Sequence, residues 1–344
     1  MQHKVIKWVP LLDEMGNLIE PGYATSMLYD YERTDIKANK LRIKEWDYYL
    51  IYNKDFALAL TIADNSYMGL VSASVINLRV GKETTKSNIK LFTNGKTNMP
   101  RTPKIGKTMI ATSKVAMCFD NNGKTRHIVF EYPNFENGNT LSGDILLTNE
   151  PPESMVIATP FTKDKHFYLN QKTLGFRAMG YFKIGDQQVN FHPKDTRAIL
   201  DWGRGVWTYK NTWYWGAACG TLGDNEFGFN IGGGFGDTSC ATENMVFFNG
   251  KAHKLDIVTF NIPKDDKQKE NFTGTWTLGS NDGRFNMKFR PIIDRHANMN
   301  ILGLLASNQH QVFGKFTGFV MLDNGTKIHI KDFVGFVEKV SNKW

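Results

Sequence analysis

The chain of 344 residues predicts an all-β protein made of two similar antiparallel units, each long enough for an eight-stranded barrel or a comparable sandwich. Three observations carry this. Short segments alternating apolar and polar residues recur along the chain, tight-turn residues separate them, and a pattern in the first half returns in the second. The composition agrees, since 13% aromatic residues and 31 glycines suit pleated surfaces broken by turns and bulges.

The first block of strands reads LRIKEWDYYLIYNKDFALALTIADNSYMGLVSASVINLRV, with turns at Asn53-Lys-Asp55 and Asp64-Asn-Ser66. Further segments are RHIVFEYPNF, GDILLTN, SMVIATPF, RAMGYFKIGDQQVNFH, KLDIVTFNI and FTGTWTLGSNDGRFNMKFRPII. In Arg284–Phe289 and Lys327–Lys331 every second residue is apolar, the mark of a strand with one buried and one wet face. Asn281-Asp-Gly283 and Asp323-Asn-Gly325 supply the positive φ of tight hairpins. Short helices are expected only near Lys194–Leu200 and Asn298–Ala306.

The repeat sets Leu141–Phe161 beside Phe272–Ile292, aligning Gly143 with Gly274 and Pro160 with Pro291. Gly180-Tyr-Phe-Lys-Ile-Gly-Asp then matches Gly318-Phe-Val-Met-Leu-Asp-Asn. A duplication of this kind puts the seam near residue 205 and divides the chain into domains 1–205 and 206–344.

No run reaches the roughly 18 apolar residues of a membrane helix. Asp13, Glu14 and Glu20 interrupt the N-terminal segment, so no signal peptide is expected. Cys118, Cys219 and Cys240 are odd in number and lack CxxC spacing, which points to buried, reduced thiols in a cytoplasmic protein. The net charge of +8 is concentrated between Lys82 and Arg126, where ten basic residues face two acidic ones. Such a segment suits an anion or an anionic membrane surface. Without an RNA-binding or Cys/His signature, nucleic acid is not an expected partner.

Chemistry concentrates in DWGRGVWTYKNTWYWGAACG, from 201 to 220, which holds four of the eight tryptophans within fourteen residues. Trp202, Trp207, Trp213 and Trp215 could stack on a flat ligand or steady a developing cation. Asp201, Asp237 and Glu243 are candidate general acids, because a carboxyl in an aromatic pocket can hold its proton. Arg204 is an orienting charge, and Asn244 and His253 complete the candidate ligand-binding set. Plainer roles fit the same residues: a ring-filled core, an Asp201–Arg204 ion pair at the junction, and turns or caps at Asp237 and Glu243. The segment GGGFGD lacks the βαβ setting of a dinucleotide site. With no GxSxG, HExxH or phosphate loop, no metal or cofactor is expected.

The runs WYWGAACG, FGFNIGGGFGDTSCATENMVFFNGKAHKL and LRIKEWDYYLIYNKDFALALTIADNSYMG resemble the bacterial family known as domain of unknown function 2804, over essentially the whole chain. That family is distantly similar to two-domain lipocalin-like (calycin) proteins, among them carotenoid hydratases, tocopherol cyclase and cyclases of fungal polyketide pathways. The resemblance implies two tandem antiparallel lipocalin-like β-barrels and supplies no catalytic residue. The expected function is binding of a hydrophobic or aromatic small molecule, of lipid or isoprenoid class, in a barrel cavity lined by tryptophans. The alternatives are a cofactor-free hydratase, isomerase or cyclase using a buried carboxylate, and a carbohydrate-active enzyme with paired carboxylates.

Overall fold

The computed structural model describes residues 2–301 and 305–343. The chain divides into two compact units, His3–Trp207 and Thr208–Trp344, the second including Gln2. Both are antiparallel meanders curled into half-barrels, and the described helices are two short 3-10 turns, Arg33–Asp35 and Lys40–Arg42.

In the N-terminal unit the meander runs through β1 (Ile43–Tyr52), β2 (Phe56–Asp64), β3 (Met68–Asn77) and β4 (Lys82–Leu91), then β5 (Gly106–Ala111) and β6 (Ala116–Asn121). It continues through β7 (Arg126–Glu136), β8 (Asn139–Thr148), β9 (Phe167–Ile184) and β10 (Arg197–Val206). The last strand returns to pair with the first along its whole length, from Arg197–Tyr52 to Val206–Ile43. Side chains bridge the edge strand β4 to the bulged end of β7: Lys82 pairs with Glu136 at 3.0 Å, and Thr84 donates to the same carboxylate at 2.8 Å. The core is drawn from one face of each strand, including Leu58, Leu60, Val71, Ile128, Phe130, Ile145, Leu200 and Trp202.

The C-terminal unit repeats this plan with β11 (Lys210–Leu222), β12 (Asn225–Gly233), β13 (Met245–Phe248), β14 (Lys251–Lys254) and β15 (Val258–Asn261). Next come β16 (Trp276–Ser280), β17 (Phe285–Ile301), β18 (Leu305–Met321) and β19 (Lys327–Lys343). Again the last strand pairs with the first, β19 with β11. Phe229, Trp276, Phe285, Phe289, Phe316 and Val337 fill the interior.

The repeat is structural, but one strand of its alignment is out of phase. Gly180 and Gly318 occupy equivalent places, each opposite a strand whose carbonyl (Asp144, Asn286) leaves no space for a Cβ. By pairing, β8 therefore corresponds to β17, whereas the sequence match sets β8 against β16. Neighbouring strands of a meander share one alternating pattern, which makes a one-strand slip easy.

Both expected helices are replaced by strand. After the turn at Pro193–Asp195 the chain enters β10, every residue of which is buried. A strand covered on both faces loses its period of two, and RAIL then reads as helical. Asn298–Ile301 and Leu305–Ala306 are the facing arms of the β17–β18 hairpin; the rest of that expected helix, 302–304, lies outside the described residues. Of the cysteines only Cys219 is buried; Cys118 is half-buried and Cys240 exposed. Among the described residues no helix is long and apolar enough to cross a membrane.

Candidate functional site

Strand alternation splits the charged half of the tryptophan-rich segment. On β10, Trp202 and Arg204 face the core, while Asp201 and Gly203 face the other way. Asp201 and Arg204, three apart on one strand, therefore do not form the expected ion pair.

The Arg204 guanidinium lies 4.1 Å from the centre of the Trp202 ring. It donates to Asp47 Oδ1 at 3.1 and 3.2 Å and to the carbonyl of Pro100 at 2.9 Å. Glu45 Oε1 is 3.8 Å from its Nε, takes a 2.8 Å hydrogen bond from the Tyr31 hydroxyl, and shares its carboxylate with Arg33. Burial first, and the Glu45 charge second, push the Tyr31 hydroxyl well above its usual pKa. Arg126 donates to the Tyr49 hydroxyl, to the Pro103 carbonyl at 2.9 Å and to Glu150 at 2.9 Å. The two arginines thus hold the 100–103 strap beside a partly open cavity of about 10 Å³, room for about one water. Glu45, Asp47 and Arg126 were not singled out in sequence, because charges on an inward register look like ordinary wet-face residues.

On the opposite face Asp201 pairs with Lys172 at 3.1 Å and accepts from Asn170 at 2.6 Å. Trp46 covers Gly203, stacks on Tyr168 at 6.1 Å and meets Trp207 edge-on at 5.2 Å. Lys44 Nζ sits 4.8 Å from the Tyr67 ring and 5.3 Å from Trp207, and burial holds its pKa well below the usual lysine value.

In the C-terminal unit, Trp213 and Trp215 project from the face of β11 opposite the barrel core, to which Ala218 contributes. They do not line the barrel interior, which phenylalanines and Trp276 fill. Trp215 is buried, lies edge-on to Phe336 at 4.7 Å, and donates its indole N–H to Asn230 at 2.8 Å. In register it has Glu338 on one side and Gly232 on the other. The Glu243 carboxyl lies over that bare glycine. Two buried carboxylates thus flank one tryptophan, Glu338 from the neighbouring strand and Glu243 from the loop beyond Gly232. Trp213, half-buried, donates to Glu338 Oε1 at 3.1 Å, and Gln309 donates to Oε2 at 2.9 Å. Asn244 braces this edge by accepting the Gly232 N–H at 2.7 Å and donating to the Asp256 carbonyl at 2.8 Å. Glu338 was missed because it lies 125 residues from Trp213, with no local motif to mark it.

The remaining candidates lie elsewhere. Asp237 is exposed and accepts the Ser239 N–H in a turn. His253 pairs in register with Val246, a core residue, so it points to the barrel end rather than to the tryptophans. There it sits 3.0 Å from Asp323, which Arg284 also grips at 2.6 Å. In the basic segment, Lys82, Arg101, Lys107 and Arg126 are paired with carboxylates. Among the described residues no cluster of histidine, cysteine and carboxylates has the makings of a metal site.

Fold and topology define a protein of two tandem lipocalin-like half-barrels. The chain belongs to the family described as domain of unknown function DUF2804, whose model matches residues 2–344. No curated protein matches the sequence. Among solved structures, a candidate AttH from Nitrosomonas europaea is similar at 10% identity and TM-score 0.55, over 90% of this chain and 96% of that one. CghA with Sch210972 is similar at 10% identity and TM-score 0.52, over 97% of each chain. Kievitone hydratase from Nectria haematococca gives 11% identity and TM-score 0.47, over 87% of this chain and 88% of that one. The first two likenesses show the fold, and no function follows from them.

Proposed function

We propose that the protein binds a small hydrophobic or aromatic molecule, of lipid or isoprenoid class, against the Trp213–Trp215 face of the C-terminal unit. The observation that carries this is the pair of buried carboxylates, Glu243 and Glu338, flanking Trp215. Rings give a flat apolar contact, and the carboxylates fix the polar end of a ligand. The likeness to CghA, whose structure contains Sch210972, supports a small-molecule role. Native mass spectrometry of protein purified from its own host tests the reading. A co-purifying organic molecule that Trp213→Leu loses is the expected result; an empty protein together with an empty lipid and terpenoid screen ends it.

A second reading, acid catalysis of the hydratase or isomerase type, draws on the same carboxylates. A carboxyl that protonates an alkene beside an indole face would leave the cation steadied by the ring. Under this reading Glu243→Gln and Glu338→Gln keep the ligand and stop its conversion. Unchanged turnover in both variants would sink it.

A further inference from the structure

The described end of the C-terminal barrel carries a groove that the tryptophan face does not use. It measures about 440 Å³, within the range of small-ligand sites, and is lined by Phe248, Lys251, His253, Leu322, Asp323, Asn324 and Thr326. Its walls are two hairpin turns. One is Phe248-Asn-Gly-Lys251, in which Asn249 and Gly250 both take positive φ; the other is Leu322–Thr326. Phe248 and Leu322 pack on or belong to the barrel core, so an apolar surface stands between polar walls.

The charges on the lining are unequal. Asp323 is already matched by Arg284 at 2.6 Å. Arg284 is itself committed, donating also to the carbonyls of Met321 at 3.1 Å and Lys254 at 2.9 Å. Lys251 is exposed and, among the described residues, has no counter-charge. His253 is 5% exposed, and its Nδ1 accepts the Asp323 backbone N–H at 3.3 Å. Such a hydrogen bond fixes the ring and leaves Nε2 as its remaining polar edge.

We propose that this groove is a second binding site, for a small organic anion with an apolar body. The body rests on Phe248 and Leu322, and the carboxylate or sulfonate meets Lys251, with His253 as the second polar contact. An anion is specified because the only lining carboxylate is neutralised while Lys251 is not.

Calorimetric titration of the full chain with 1-naphthoate, and with its neutral amide 1-naphthamide, tests this. Trp213→Leu serves as background, so binding at the tryptophan face does not contribute. One saturable naphthoate site is expected, with naphthamide about tenfold weaker, as for loss of one charged contact. Lys251→Met should remove that preference, and Thr326→Trp, a substitution on an exposed turn that fills the groove, should abolish binding. Three results overturn the proposal: no saturable naphthoate binding, equal affinity for the amide, or full binding by a folded Thr326→Trp. The tryptophan-face reading survives any of them, because its own ligand is measured on Trp213.

Discussion

The Glu243 carboxyl occupies the volume that a side chain at Gly232 would need: a Cβ there would stand 2.6 Å from Glu243 Cδ. Gly232 is opposite Trp215, so this glycine lets a buried carboxyl lie beside the indole. Its φ is not in the left-handed region, and alanine is therefore tolerated by the backbone. Gly232→Ala should displace the carboxyl and cost about 1–3 kcal/mol, the usual overpacking range. Glu243→Ala should rescue it. Urea unfolding of the two single variants and the double variant measures the coupling, and strict additivity would show that the contact does not matter.

Arg204 is fully buried between Asp47, Glu45 and the Trp202 ring. Arg204→Met leaves the buried Asp47 carboxylate without its cation, while Glu45 keeps Arg33. Removing one partner of a buried ion pair costs about 3–5 kcal/mol. The loss should appear as a lower urea midpoint at pH 7. Lys at this position should rescue little, since it cannot reach Asp47 and the Pro100 carbonyl together from one planar group.

Lys254 makes stability rise with pH in the same sense as a paired carboxylate does, but in a higher pH window. Its Nζ donates to Thr242 Oγ1 at 2.7 Å and to the carbonyls of Asn244 and Leu255 at 2.9 Å, yet burial lowers its pKa to about 7. An unfolded lysine titrates near 10.5. Between these values the unfolded chain holds the extra proton, so raising the pH favours folding, by at most about 1.4 kcal/mol per pH unit. The contribution is full above the unfolded value and lost as pH falls to about 7. Lys254→Met should flatten the rise in unfolding free energy between pH 7 and 10; an identical slope in both proteins would refute the assignment.

Much of the fold was legible because antiparallel strands with one dry face announce themselves. The same rule failed at β10, where burial of both faces erased the alternation and a helix was expected. The site was legible in composition but not in direction. Trp213, Trp215 and Glu243 do share one face of the C-terminal sheet, whereas Arg204 turns away from Asp201, and His253 goes to the barrel end. A list of chemical residue types cannot supply register, and on a strand a one-residue difference reverses the face. Glu338 and Asp47 are the converse case. Their importance comes from partners more than a hundred residues away, Trp213 and Arg204, which no local pattern connects.

The covering of Gly203 by Trp46 is the tightest of these arrangements and the easiest to break. A Cβ at Gly203 would fall within the Trp46 indole, which is wedged by Tyr168 on one side and Trp207 on another. Unlike the Glu243 carboxyl, a ring so held cannot swing aside. Gly203→Ala should therefore cost more than Gly232→Ala, at or beyond the upper end of the usual 1–3 kcal/mol. Because the two rings nearest the displaced indole are Tyr168 and Trp207, the damage should reach Lys44, whose ammonium lies against Trp207. Near-ultraviolet circular dichroism should lose aromatic signal in Gly203→Ala before global unfolding begins. Trp46→Leu in the same background should restore much of the stability and none of the signal. If Gly203→Ala matched the parent in both stability and aromatic signal, the close contact between this glycine and Trp46 would be disproved.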